Sequence, residues 1–227
     1  MPDDLDQQDY DDTSAFAFNG LASLAKAVAF LSLAKEALKA NERISATVCA
    51  YYSLLHLAIT LIYLCPDKIS PPLRNELRTK RGQGEVDPSN SIKHSAACEF
   101  VKTCSKDGLD ARFHSQLQVA KKLREFVNYG PRLTIRNNTA YFGPCTARPT
   151  DCDGLISVIS DLFSSAMEWA YTHSELKGTF VLIAVEKCGD FFVKPDLFYT
   201  QWCSKECIED SRAFIKRLDQ KMRTLRT

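Results

Sequence analysis

The sequence predicts an all-α helical bundle followed by a small C-terminal β-hairpin and a last helix. Three observations predict it: long segments with apolar residues every three or four positions, Pro and Gly clusters between them, and a β-branched and aromatic run after Gly178. Hydrophobic residues make up 45% and charged residues 25% of the 227, which excludes a disordered or fibrous chain. The expected organisation is an acidic disordered tail over 1–13, a bundle over 14–175, and a hairpin with its helix over 178–227.

Ser14 is placed to cap a first helix running to about Ala40, in which Leu24, Val28, Leu31, Ala34 and Leu38 share a face. The second, ISATVCAYYSLLHLAITLIYL, is apolar nearly all round, as expected of a helix at a bundle centre or shared with a second subunit. Pro66, Pro71 and Pro72 then open a polar stretch to about Asn90, read as a mobile loop holding at most one short helix. A third long helix fits Ser91 to Cys104, and a fourth runs from about Leu109 to Tyr129, where Gly130-Pro131 stops it. PRLTIRNNTAYFGPCTARPT reads as an irregular functional loop, being long for a bundle connection. Asp151 or Asp153 caps a fifth helix, with Leu155, Ile159, Leu162, Ala166 and Trp169 on one side. The run TFVLIAVEKCGDFFVKPDLF reads as the hairpin, turning at Cys188-Gly189, and Ser204 to Arg223 as the last helix.

Net charge is +1, but the first twelve residues hold six Asp and no Lys or Arg, which leaves the remainder at +7. That excess suits an anionic partner without specifying nucleic acid. The acidic start lacks the basic and apolar regions of a signal peptide, and no uninterrupted apolar run has spanning length, so a cytoplasmic protein without membrane contact is expected. Nine cysteines in no regular framework then read as mostly reduced thiols.

The order ATVCAYYSLLHLAITLIYL, IKHSAACEF, LREFVNYG resembles the HEPN domain, an all-α bundle with Tyr-Tyr in one helix, His in the next and Arg near the end of the following one. Many HEPN proteins are dimeric, metal-independent endoribonucleases of prokaryotic toxin–antitoxin or antiviral defence systems. Their signature is Arg, four to six residues, then His. The His moves a proton at the 2′-hydroxyl or leaving oxygen, and the Arg neutralises charge developing on phosphate. Here Arg124 matches the Arg, but Tyr129 stands after four intervening residues. A phenol with a pKa near 10 is a poor base at neutral pH.

The resemblance therefore implies an RNA-binding protein, a weak metal-independent ribonuclease at most. Arg124 is the phosphate clamp, Asn128 and Tyr129 are auxiliary groups, and His94 is the histidine beside a motif. Arg132, Arg136 and Arg148 are RNA-contacting candidates in the loop. The alternative is a non-catalytic scaffold that binds a partner protein or a nucleotide, with Arg124 in an ion pair to Glu99 or Glu125 and His94 in an interhelical hydrogen bond. Tyr51 and Tyr52 read as core residues with satisfied hydroxyls. A homodimer is expected from the all-round apolar second helix.

The tail, VEKCGDFFVKPDLFYTQWCSKECIEDSRAFIKRL, resembles a treble-clef zinc ribbon. Cys188, Cys203 and Cys207 match three ligand positions, while Val185 replaces the first Cys. Structural zinc takes four ligands, so the resemblance implies either an incomplete site or a fold that kept its shape without metal. In both cases the three thiols should converge beside Val185, and no other cofactor is expected.

Overall fold

The helical periodicities are realised in a computed structural model that describes residues 7–82, 92–129, 133–136, 139–142, 149–174, 177–192 and 203–225. Helices α1 (Gln7–Lys39) and α2 (Arg43–Leu64) form an antiparallel hairpin. Its turn needs Asn41 at φ 60°, a left-handed conformation that Asn tolerates better than most side chains. Gly20 lets the pair approach, since a Cβ there would stand 3.0 Å from Leu64 Cδ2. The Ser53 hydroxyl donates to the Ala27 carbonyl at 2.8 Å across the same contact.

Around this hairpin pack α3 (Pro71–Gly82), α4 (His94–Cys104), α5 (Ala111–Tyr129), α6 (Pro149–His173), α7 (Lys177–Cys188) and α8 (Lys205–Thr224). Helix α2 lies at the centre, against α1, α4, α5 and α6. That position explains its composition. Fifteen of its residues, from Ala46 to Leu64, are buried, including both faces of the apolar pattern. Neighbours in the same chain thus cover most of the apolar circumference on which the expectation of a second subunit rests.

Two segments, Phe16–Lys39 and Arg43–Leu64, are long and apolar enough to cross a membrane by length and composition. The expectation that nothing reaches spanning length is corrected to that extent. Buried fractions of 56% and 78% in their apolar windows match the role of core helices within the bundle.

The C-terminal hairpin is also corrected. Residues 177–188 are helical, and a 3₁₀ turn over Gly189–Phe192 ends them. Val181, Ala184, Val185 and Cys188 recur at i, i+3, i+4 and i+7 and are all buried, so helical burial outweighs β-propensity here. One hydrophobic cluster runs from Phe16 through α2 and α6 to Val181, Val185, Phe214 and Met222, so the tail shares the core of the bundle.

The only strands among the described residues lie where an irregular loop is expected: β1 (Leu133–Arg136) pairs antiparallel with β2 (Thr139–Phe142). Leu133 faces Phe142 and Arg136 faces Thr139 in register. Alternating β-formers flank Asn-Asn in the sequence, a two-residue spacing typical of hairpins. Smaller corrections concern helix ends. Helix α1 begins at Gln7, before Ser14, so Ser14 is no cap and residues 7–13 of the acidic tail are helical, while residues 1–6 lie outside the described set. Helix α6 begins at Pro149 and therefore includes Asp151 and Asp153. The polar stretch after Pro66 forms a 3₁₀ turn and α3 up to Gly82.

Candidate functional site

Three helices bring one polar cluster together. Tyr51 and Tyr52 are consecutive on α2, about 100° apart around its axis, so one ring enters the core and the other turns towards its edge. Tyr51 is fully buried and Tyr52 half-buried. His94 is the first residue of α4, and its Nδ1 lies 2.8 Å from the Tyr51 hydroxyl. Arg124, half-buried near the end of α5, sets its guanidinium carbon 5.3 Å from the Tyr51 ring centre and 5.7 Å from that of Tyr52. It also donates to the Tyr52 hydroxyl through Nη2 at 3.4 Å.

A second aromatic layer supports the first. Phe30 of α1 stacks on Tyr52 at 5.4 Å and lies almost parallel to the His56 imidazole at 5.6 Å. The cluster therefore has a rigid floor on α1 and α2, while α4 and α5 supply His94 and Arg124.

Electrostatics define what these groups can do. Burial, and then the positive charges of Arg124 and Lys121, lower the His94 pKa, so the imidazole is neutral at pH 7. Burial first, then the nearby Cys98 thiol, raises that of Tyr51, which keeps the phenol protonated. A protonated phenol donating to Nδ1 leaves the imidazole proton on Nε2. In that tautomer His94 keeps an N–H donor on Nε2 within the positive field of Arg124 and Lys121, which suits an anionic oxygen.

The sequence-derived candidates divide clearly. Arg124 and His94 come together. Asn128 is exposed one turn after Arg124, and Tyr129 is the last residue of α5, its side chain outside the described residues. Arg136 lies on β1 with only its backbone described, and Arg132 and Arg148 fall outside the described residues. Glu99, one suggested partner of Arg124, pairs with Lys102 at 3.5 Å. The residues missed as site components are Tyr51, Tyr52 and Lys121. The adjacent tyrosines on α2 are the available signal.

The expected thiol convergence is corrected. Among the described residues no group of three His, Cys, Asp or Glu side chains is placed to hold a metal ion. Cys188 is fully buried at the end of α7, where burial alone raises its pKa. Cys203 and Cys207 stand near each other at the start of α8, where Cys207 lowers the Cys203 pKa and Cys203 raises that of Cys207. The ribbon register fails because its hairpin is a helix, so Cys188 and Val185 follow a helical face into the core.

Comparison with family models, curated proteins and solved structures finds no match.

Proposed function

We propose that this chain is a HEPN-type RNA-binding protein whose phosphate-recognition site is the cluster of Arg124, His94 and the two tyrosines. The observation that carries the reading is the meeting of Arg124 from α5 with His94 from α4 over Tyr51 and Tyr52. Lys121, one turn before Arg124, adds positive charge near His94. These groups offer hydrogen-bond donors and positive potential to a phosphate.

Binding is favoured over rapid cleavage for two reasons. Tyr129 occupies the position where the family signature has its proton-carrying His, and the Tyr51 hydrogen bond occupies one nitrogen of His94. Any cleavage is slow and independent of metal. The setting of a prokaryotic toxin or antiviral defence system rests on the sequence resemblance.

The test is binding of the full chain to a mixed RNA pool, with and without a metal chelator, across a salt series. Arg124→Ala should weaken binding by roughly tenfold or more and flatten the salt dependence. Absence of binding by the parent chain, or an unchanged affinity in the variant, would overturn the reading. Tyr129→His restores the signature spacing, and appearance of chelator-resistant cleavage would show that a proton carrier is what the parent lacks.

One observation favours a second reading, a non-catalytic module for a partner protein or nucleotide: the Arg124 guanidinium already has two ring faces and a hydroxyl as internal partners. Under that reading Arg124→Ala costs about 0.5–2 kcal/mol of stability from the lost cation–π contacts and leaves the parent's RNA affinity negligible throughout.

A further inference from the structure

A cavity of about 470 Å³ shares no lining residue with the tyrosine cluster, and its volume falls within the roughly 300–1,000 Å³ of small-molecule sites. The turn before α5 contributes Gly108 and Asp110, the last turns of α6 contribute Glu168, Trp169 and His173, and the end of α8 contributes Leu225. Contacts within the protein fix these walls. Gly108 takes φ 91° in the turn, and Trp169 Nε1 donates to the Asp107 carbonyl at 2.9 Å. The His173 ring stacks on Trp169 with centres 4.9 Å apart, and its Nδ1 lies 2.9 Å from the Trp169 carbonyl.

The electrostatics select a cation. Asp110 and Glu168 are the carboxylates of the lining, and among the described residues it holds no Lys or Arg. Helices α6 and α8 both end at the cavity, so the negative ends of two helix dipoles add to that field.

The two carboxylates are differently committed. Asp110 is held by the Arg112 side chain, through Nε at 3.1 Å and Nη2 at 2.7 Å, and accepts the Arg112 backbone N–H at 2.9 Å. Glu168 meets one cation, Lys221, whose Nζ lies 2.6 Å from Oε1. That oxygen is buried and takes the ion pair without a well-aligned hydrogen bond. Lys221 itself is half-exposed, so its ammonium can swing into water at little cost.

We propose that this cavity binds a small linear primary amine as its ammonium ion, which displaces Lys221 from Glu168. Lys221 is an alkylammonium, and its contact shows that the carboxylate accepts such a group. A free amine is not tied to α8 and can align its N–H donors with Glu168, a charge-assisted contact. Its alkyl chain has an apolar surface in Leu225, which is 41% exposed. An anion meets the wrong sign of charge, and a neutral polyol has no charge to exchange for that of Lys221.

The probe is putrescine, titrated at neutral pH and low salt into the full chain carrying Trp202→Phe, so that emission comes from Trp169. A saturable change is expected, with none from 1,4-butanediol, which has the same chain length and no charge. Glu168→Gln, with unchanged far-UV circular dichroism, should weaken binding by roughly tenfold. Lys221→Ala should tighten it severalfold by removing the internal competitor, and this variant keeps the test open should Glu168→Gln not fold. An absent or non-saturable response, an equal response to the diol, an affinity unchanged by Glu168→Gln, or one not increased by Lys221→Ala would each overturn the proposal.

Discussion

His94 is the residue at which a change of pH has a defined sign. Its folded pKa lies below the ordinary imidazole value of 6.5, because burial and two nearby cations oppose protonation. As pH falls through 6.5 the unfolded chain takes up a proton that the folded chain resists, so this residue lowers stability on acidification. The loss grows until pH passes the folded pKa and then levels off. Urea unfolding of the parent and of His94→Gln over pH 5 to 8 checks it, and the variant should lack that component of the slope. Tyr51→Phe removes the donor to Nδ1 and leaves a partly buried acceptor without it. A loss of about 0.5–1.5 kcal/mol is expected, together with a higher His94 pKa measured by NMR titration, because the Tyr51 hydrogen bond favours the neutral imidazole.

Elements show where local pattern and tertiary environment agree. Ser204 caps α8, and Ser204→Ala should cost about 1 kcal/mol in chemical denaturation by leaving the Cys207 N–H without its acceptor. Helix α7 offers a sharper test of conformation. Ile183 is 46% exposed in its middle, so Ile183→Ala should raise stability by a few tenths of a kcal/mol through helix propensity. A β-strand there would respond with a loss. The long helices were legible because their apolar residues repeat over five or more turns. Over twelve residues the α7 run fits both periods, and only its packing against α1, α6 and α8 decides between them. Arg124 and His94 could be singled out by chemistry, whereas Tyr51 and Tyr52 read as packing because ring contacts across helices leave no spacing pattern in one chain segment. The spacing of Cys203 and Cys207 is visible in the sequence, whereas Cys188 is placed with them only if residues 178–192 form a hairpin, and they are helical.

At the scale of the molecule, the continuous core means that α7 and α8 unfold with the bundle. Heating or urea should give a single transition whose midpoint is the same by far-UV circular dichroism and by Trp fluorescence, since Trp169 is buried and donates to the Asp107 carbonyl at 2.9 Å. An early separate transition that melts only the C-terminal helices would contradict it. Leu54→Ala, at the centre of α2, should lower the stability of the whole unit by about 2–5 kcal/mol through the transfer and cavity terms.

The buried hydrogen bond from Ser211 to Ser32 joins positions 179 apart in the sequence, and α1 receives both α7 and α8 on faces that α2 does not cover. During synthesis the α1–α2 hairpin leaves the ribosome before the helices that shield its other side are translated. For most of that interval the nascent chain therefore presents two long apolar helices with incomplete cover. Translation speed, chaperone supply and temperature should govern soluble yield through this vectorial gap, even where the finished protein's equilibrium stability is unchanged.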